Sequence, residues 1–390
     1  MRVRRCAVLW LEPKETARFE LENLLAGGTG VASAMRWFAH APQLDAPLSI
    51  EAADVELLGS LSPNDWVDAA PLRERHGARL RDLMKAGLVI GRGKAWDPQR
   101  LADERFREQH WFGPAALLHA DSRWCGLDAA REVAEEGMDT AEGMRTRYGA
   151  PPSELHARAQ AAQRLPLPAP DASPLEDLLD RRSTCRNFDA SAFLPQAALA
   201  AVLARTFGAR GNVHAADSFD VLKKTSPSGG ALHPTEAYLI VQRVEGVAPG
   251  LYHYHAGDHA LEALPSPEDL AAFARLAVAG QHWFSDAPVL VVLAPRFVRN
   301  FWKYRNHAKA YRVVILDVGH LSQTLYLTAT ELGLGAFITA AINETDIEQA
   351  FGLINCVDGP LAVCGFGARA ERMATSEFDP NNKVWPRKSV

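Results

Sequence analysis

Two stretches of the sequence gather side chains that could bind an anion or move a proton. From Arg181 to Arg186 the chain reads RRSTCR, with the hydroxyls of Ser183 and Thr184 set between Arg181, Arg182 and Arg186. A guanidinium can grip two phosphate oxygens at once and each hydroxyl adds a donor, so the run suits a phosphate group. A basic helix end that complements the helix dipole is the plainer account of the same residues. The second stretch, NFWKYRNHAKAYRVVILDVGH from Asn300 to His320, offers Lys303 and Tyr304 as proton carriers in a field of further charges. Charge that dense is also the ordinary mark of a solvated face.

Two glycine stretches complete the candidates. TSPSGGALHPTE, Thr225–Glu236, puts Gly229 and Gly230 after Ser-Pro-Ser, which lets backbone amides approach something flat or anionic; a turn between strands is the alternative. LGLGAFITAAI, Leu332–Ile342, reads equally as a helix C-cap feeding a buried strand and as a close backbone approach ending in an exposed edge at Thr339 and Ala340.

The elements that must position these residues follow from periodicity. RLPLPAPDASP, residues 164–174, has four prolines and no apolar period, so it reads as an extended linker. Past it, Ser173, Pro174 and Glu176 stand at N-cap, N1 and N3 of a helix. Downstream, LPQAALAAVLARTFGA reads as a helix, EAYLIVQRV and APVLVVLAPRF as strands, and GLYHYHAGDHALEAL as two strands turning at Gly257-Asp258. Residues 307–332 have the pattern of a long helix, and GLGAFITAAI and PLAVCGFGA supply the last strands. Before the linker, apolar or semi-apolar positions at Leu72, His76, Leu80, Leu83 and Met84 predict a helix ended by Gly87. A short strand Leu88–Ile90 and a hairpin tip Gly91-Arg92-Gly93 follow it, the order of a winged helix. Its exposed Arg73, Arg75, Arg79, Arg81 and Lys85 suit DNA, an acidic peptide segment or plain solvent. The apolar run after Met1-Arg-Val-Arg-Arg reads as a first strand, and residues 97–164 as mostly helical and polar.

Composition narrows the function. A formal charge of -5 over 390 residues gives no global attraction to nucleic acid or anionic membrane. The five cysteines are scattered, with no C-x-x-C pair and no zinc spacing, so a reduced, cytoplasmic protein without a structural metal is expected. Each apolar run is broken by a charged or histidine residue well short of a bilayer span. Neither G-x-G-x-x-G after a strand nor G-x-x-x-x-G-K-[ST] occurs, which removes the dinucleotide and P-loop folds.

Taken in chain order, the segments RRSTCRNF, SPSGGALHPTE, KY with AYR and DVGHLSQ, and LGLG resemble the SagB-type dehydrogenases of the nitroreductase-like flavoproteins, over residues 175–369. The winged-helix-like region in front resembles the arrangement in azoline oxidases of peptide natural-product pathways. The resemblance implies an α+β fold, a nitroreductase-like mixed sheet with packed helices, preceded by a smaller winged-helix-like domain. The domains expected are a peptide-recognition region at 1–164, a Pro-rich linker at 165–174 and an FMN domain with a C-terminal tail at 175–390.

By the same resemblance Arg181, Arg182 and Ser183 hold FMN phosphate and ribityl. The spacing to Arg186 and Phe188 is one residue longer than the common pattern, so Arg182 with Thr184 is the alternative pair. Pro227, Ser228, Gly229 and Gly230 would line the flavin from the partner subunit of a homodimer, Thr339 and Ala340 would present backbone at its N5 edge, and Arg369 would be a second phosphate ligand. Lys303 and Tyr304 match a Lys-Tyr pair that removes a proton while the flavin takes a hydride, and a dry place beside the ring would favour a neutral, proton-accepting lysine. Arg312 and Asp317 are expected to pair structurally, within the helix at i to i+5 or across the subunits. The function implied is FMN-dependent oxidation of azoline rings to azoles in a ribosomally made peptide. Alternatives are desaturation or reduction of another peptide residue, and reduction of a small nitro compound with NAD(P)H. The implied partners are a precursor peptide and a cyclodehydratase or other maturation enzyme, with no nucleic acid and no membrane.

Overall fold

Every residue of the strand Val289–Pro295 is buried, as the unbroken apolar run VLVVLAP requires of a strand covered on both faces. The computed structural model describes residues 1–158, 160 and 163–386, so the end of the expected C-terminal tail, 387–390, lies outside the described residues. It sets Val289–Pro295 inside a six-stranded sheet, ordered Ala260–Leu264, Gly250–His255, Thr235–Val241, Val289–Pro295, Ala362–Gly367 and Gly335–Thr339. Neighbouring strands are antiparallel. A parallel bridge between Thr184 and Ala336 adds the RRST segment to the outer edge, which makes the assembly mixed.

Alternation along the strands feeds two cores. Val289, Val291 and Leu293 share one with Leu199, Leu203, Leu321 and Leu325, from the helices Gln196–Thr206 and Ala310–Glu331. Leu290, Val292 and Ala294 share the other with Phe273, Phe284, Phe337 and Ile347. Helices therefore cover both faces of the sheet, and its edge near Gly335 receives the chemistry-bearing segment.

The chain divides into two compact units. One comprises Met1–Arg123, Arg296–Val314 and Ile354–Gly359, and the other Trp124–Pro295, Ile315–Leu353 and Pro360–Val390. In the first, a small antiparallel sheet ordered Val67–Asp68, Arg2–Arg5, Val89–Gly91 packs with Leu57 of the helix Ala52–Ser60 and with Leu80, Leu83 and Met84 of the helix Ala78–Lys85. The first strand is Arg2–Arg5, ahead of the apolar run, and Trp10–Phe19 pairs with Val31–His40 in a long hairpin. Where periodicity predicts one helix over Leu72–Met84 there are two, Ala69–His76 and Ala78–Lys85, because Gly77 takes a φ of 51°. Gly91–Gly93 does not form a hairpin tip. Val89–Gly91 pairs instead with the N-terminal Arg2–Arg5, and the chain goes on into a tight turn at Lys94–Trp96. Arg75, Arg79 and Lys85 are matched by Glu56, Asp54 and Asp82, which favours a self-balanced surface over a polyanion-binding one. No described helix is long and apolar enough to cross a membrane.

Candidate active site

The helix Pro174–Arg181 starts as its sequence demands, with Ser173 Oγ accepting from Glu176 N at 3.2 Å and Pro174 at N1. It ends where the guanidiniums begin. Arg181 is held locally: its Nε donates to Asp177 at 2.8 Å and its Nη1 to the Thr330 carbonyl at 3.2 Å, near the C-terminus of the long helix. The next residues turn inward. The Arg182 guanidinium lies 5.5 Å from the centroid of the Tyr326 ring, and Thr184 Oγ1 is 3.0 Å from the Tyr326 hydroxyl. That hydroxyl also accepts from Ile338 N at 3.2 Å, and burial, against the Thr184 bond, pushes its pKa up. Ser183 is buried and accepts from Arg369 Nη2 at 3.0 Å. Arg182 and Thr184 thus meet at Tyr326, while the intervening Ser183 meets Arg369.

The LGLG glycines have separate tasks. Gly333, at a φ of 73°, ends the long helix. Gly335 allows a close approach: a Cβ there would lie 2.5 Å from Cys185 Sγ and 3.0 Å from Arg369 Cγ. The strand that follows ends at Thr339, whose Oγ1 accepts from Gln281 Nε2 at 3.2 Å and from Ala341 N at 3.1 Å, with Ala340 exposed between.

A cleft of about 840 Å³ adjoins this end of the sheet, lined among others by Arg186, Gln281, Trp283, Ala341, Thr375 and Ser376. Its size is that of a small-molecule or cofactor site. Among the described residues neither Arg182 nor Arg186 has an ion-pair partner, and the buried Trp283 Nε1 has no acceptor. Of the lining and supporting groups, Arg186 belongs to the arginine-hydroxyl motif read from the sequence, whereas Gln281, Trp283 and Tyr326 carry no motif and are not singled out there.

The serine-glycine loop is pinned from the long helix. Ser228 Oγ donates to Asp317 at 2.5 Å, Gly229 N donates to the other carboxylate oxygen at 3.1 Å, and Ser226 Oγ is 2.7 Å from Thr324 Oγ1. Gly230 takes a φ of 67°, open to glycine at no steric cost. Asp317 is therefore the clamp of the loop that carries Pro227, Ser228, Gly229 and Gly230. Burial raises its pKa while the Ser228 and Gly229 bonds oppose the rise.

Lys303 and Tyr304 belong to the first unit. They follow the helix Phe297–Phe301, with Lys303 exposed and its Nζ 5.5 Å from the Tyr304 ring centroid. The loop that carries them is tied at its base: Asn300, wholly buried, donates from Nδ2 to the Ala310 carbonyl at 3.0 Å. Beneath it lies an aromatic box in which Trp111 meets Phe297, Phe301 and Tyr311 at centroid distances of 4.7, 4.6 and 5.5 Å. His119 completes it, 3.1 Å from the Tyr311 hydroxyl, and burial with the nearby Arg123 charge lowers its pKa to about 3, so it sits there neutral.

The nitroreductase family model matches residues 179–368, the region that holds Arg181–Arg186, the pinned loop and, of the cleft's lining, Arg186, Gln281, Trp283 and Ala341. A nitroreductase-named protein of Methanocaldococcus jannaschii, MJ1384, is 30% identical over 205 residues, 53% of this chain and 96% of that protein. The chain belongs to the nitroreductase family. Two further relatives match over shorter reaches. The trifolitoxin-processing protein TfxB of Rhizobium leguminosarum bv. trifolii is 32% identical over 144 residues, 36% of this chain and 38% of its own. The microcin B17-processing protein McbC of Escherichia coli is 25% identical over 150 residues, 37% of this chain and 54% of its own. In both cases the match spans little more than half of the relative's own length or less.

Nitroreductase-family proteins are flavin-using oxidoreductases, and the residues present fit a flavin nucleotide. A phosphate carries close to two negative charges and strong acceptor oxygens. Arg182 and Arg186 offer two guanidiniums without carboxylate partners among the described residues. Ser183 and Thr184 add hydroxyls, Arg369 stands on Ser183, and the buried Trp283 N–H is a donor in want of an acceptor.

Proposed function

We propose that this nitroreductase-family chain is an FMN-dependent dehydrogenase that matures a ribosomally made peptide by oxidising azoline rings to azoles. The observation that carries it is the likeness to two relatives named for processing trifolitoxin and microcin B17, joined to the arginine-hydroxyl cluster of Arg182, Ser183, Thr184 and Arg369. Azoline oxidation removes one hydrogen as a proton and one with its electron pair. Bound FMN supplies the acceptor for that pair.

The chain's own residues do the rest. Arg182, Ser183, Thr184 and Arg369 hold the phosphate end, while Arg181, engaged by Asp177 and Thr330, anchors the helix that delivers them. Thr339 and Ala340 offer backbone to the ring edge. The Asp317-pinned loop, Pro227–Gly230, serves the site of a second copy in a homodimer. Lys303 takes the proton and Tyr304 orients it. The precursor peptide is the substrate, a cyclodehydratase that makes the azoline is the natural partner, and the cytoplasm is the compartment.

A second reading, NAD(P)H-dependent reduction of a small nitro compound, is favoured by the near full-length match to the M. jannaschii protein. Denaturing the purified protein separates the cofactor question from both. A flavin with the retention of FMN, stoichiometric with the subunit, is expected. Release of FAD, or no flavin after reconstitution with FMN, would remove the proposal.

A further inference from the structure

The C-terminal segment carries a carboxylate that neither the family match nor the sequence motifs reach. Glu377 lies beyond residue 368, and its side chain is fully buried. One oxygen accepts from Arg186 N at 2.6 Å, Asn187 N at 3.0 Å and Asn187 Nδ2 at 2.8 Å. The other accepts from Arg369 Nη1 at 2.6 Å and Trp385 Nε1 at 2.8 Å. All five partners are donors. Burial works against the charge, yet the bonds from Trp385, Arg186 and Asn187 and the charge of Arg369 hold the carboxyl below the usual glutamate range.

The surrounding segment is built to deliver that carboxylate. Asn187 Oδ1 accepts from Ala374 N and Thr375 N, each at 2.7 Å, and its Nδ2 donates to the Thr375 carbonyl. Asp379 accepts from the amides of Lys383, Val384 and Trp385 at 3.0, 2.8 and 2.7 Å, closing a turn that brings the Trp385 indole back to Glu377. Thr375 and Ser376 then form a wall of the same cleft as Arg186. With one guanidinium edge held by Glu377, Arg369 turns Nη2 to Ser183.

We propose that Glu377 is the positioning residue of the phosphate end of the site: it fixes Arg369 through one oxygen and the Arg186–Asn187 backbone through the other, so that residues 370–386 clasp the cofactor's anionic end. This rests on the FMN reading above. The ion pair with Arg369 also cancels one charge, leaving Arg182 and Arg186 to balance a phosphate dianion. Loss of Glu377 thus has two opposed consequences. An extra net positive charge would strengthen phosphate binding, and a released Arg369 would weaken it. Geometry decides, because an amide in place of the carboxylate must turn its NH₂ towards either Arg369 and Trp385 or the two backbone amides, donor against donor.

The test uses full-length protein stripped of flavin and titrated with FMN and with riboflavin, which lacks the phosphate, following quenching of flavin fluorescence. Wild type is expected to prefer FMN. Arg369→Ala and Glu377→Gln should each lose about tenfold or more of that preference, the reach of an outer-shell partner, with riboflavin affinity unchanged. Trp385→Phe, which removes one donor and leaves the carboxylate, should fall between. If Glu377→Gln binds FMN as tightly as wild type or tighter while Arg369→Ala does not, the positioning role is wrong. Equal weakening towards FMN and riboflavin would make Glu377 a merely structural residue and also overturns it. A wild type that does not tell FMN from riboflavin contradicts the FMN reading itself.

Discussion

Lys303→Ala is expected to keep its fold and its flavin and to lose turnover of an azoline-bearing peptide by about 10² to 10⁴, the usual contribution of a general base. The fold should survive because Lys303 is exposed and its loop is fastened by other groups, the Asn300–Ala310 bond and the packed Phe297 and Phe301. The flavin should survive because the arginine-hydroxyl cluster and the cleft belong to the other unit. Lys303→Arg should not rescue, since a guanidinium with a pKa above about 12 accepts no proton at working pH. Tyr304→Phe should lose less, its ring still beside the lysine. Single-turnover rates with bound flavin and subunit mass measured in parallel decide the matter. Near wild-type activity in Lys303→Arg together with a weakened dimer in Lys303→Ala would make the lysine an ion-pairing group instead of a base.

Trp111→Ala is expected to destabilise the first unit by about 3 to 5 kcal/mol, the range for deleting a buried large aromatic side chain. Trp111 is 4% exposed, touches four rings, and donates from Nε1 to the Cys356 carbonyl at 2.8 Å. One indole thereby joins three separate stretches of the unit, since Cys356 lies in Ile354–Gly359 and Phe297, Phe301 and Tyr311 in Arg296–Val314. Trp111→Phe keeps much of the packing and loses the hydrogen bond, so it should lose only about 1 kcal/mol or a little more. Denaturant midpoints measure the difference. The functional corollary is that Trp111→Ala should lower turnover while leaving flavin content intact, because the box it fills underlies the Lys303–Tyr304 loop. Wild-type stability in Trp111→Ala would show that the box does not organise this unit.

The residues that sequence reasoning reached and those it missed differ by the range of their interactions. Ser173, Pro174 and Glu176 act within one helical turn, and the cap formed where their spacing put it. The strand Val289–Pro295 is an apolar run buried on both faces, and Thr235–Val241 alternates before its wholly buried Leu239–Val241 end, signals that survive without knowledge of the partners. The missed wing is the opposite case: Val89–Gly91 looks like one arm of a hairpin, but its partner is Arg2–Arg5, more than eighty positions back. The same limit governs the site. Arg181 and Arg182 are indistinguishable as letters, and only Asp177, Thr330 and Tyr326 separate their surroundings. Asp317 as the clamp of Ser228 and Glu377 as the holder of Arg369 depend on side chains far apart in the chain or in a tail without periodicity. Nothing local could announce them.

The central claim, that this nitroreductase-family chain oxidises azolines in a ribosomally made peptide, is tested most directly by mass. FMN-loaded protein is incubated with a precursor peptide already carrying cyclodehydrated, azoline rings, and the peptide is weighed before and after. The account predicts a loss of two hydrogens for each ring converted, abolished in Lys303→Ala. An unchanged peptide in the presence of loaded enzyme, alongside brisk NAD(P)H-driven reduction of a nitro compound by the same preparation, would contradict it.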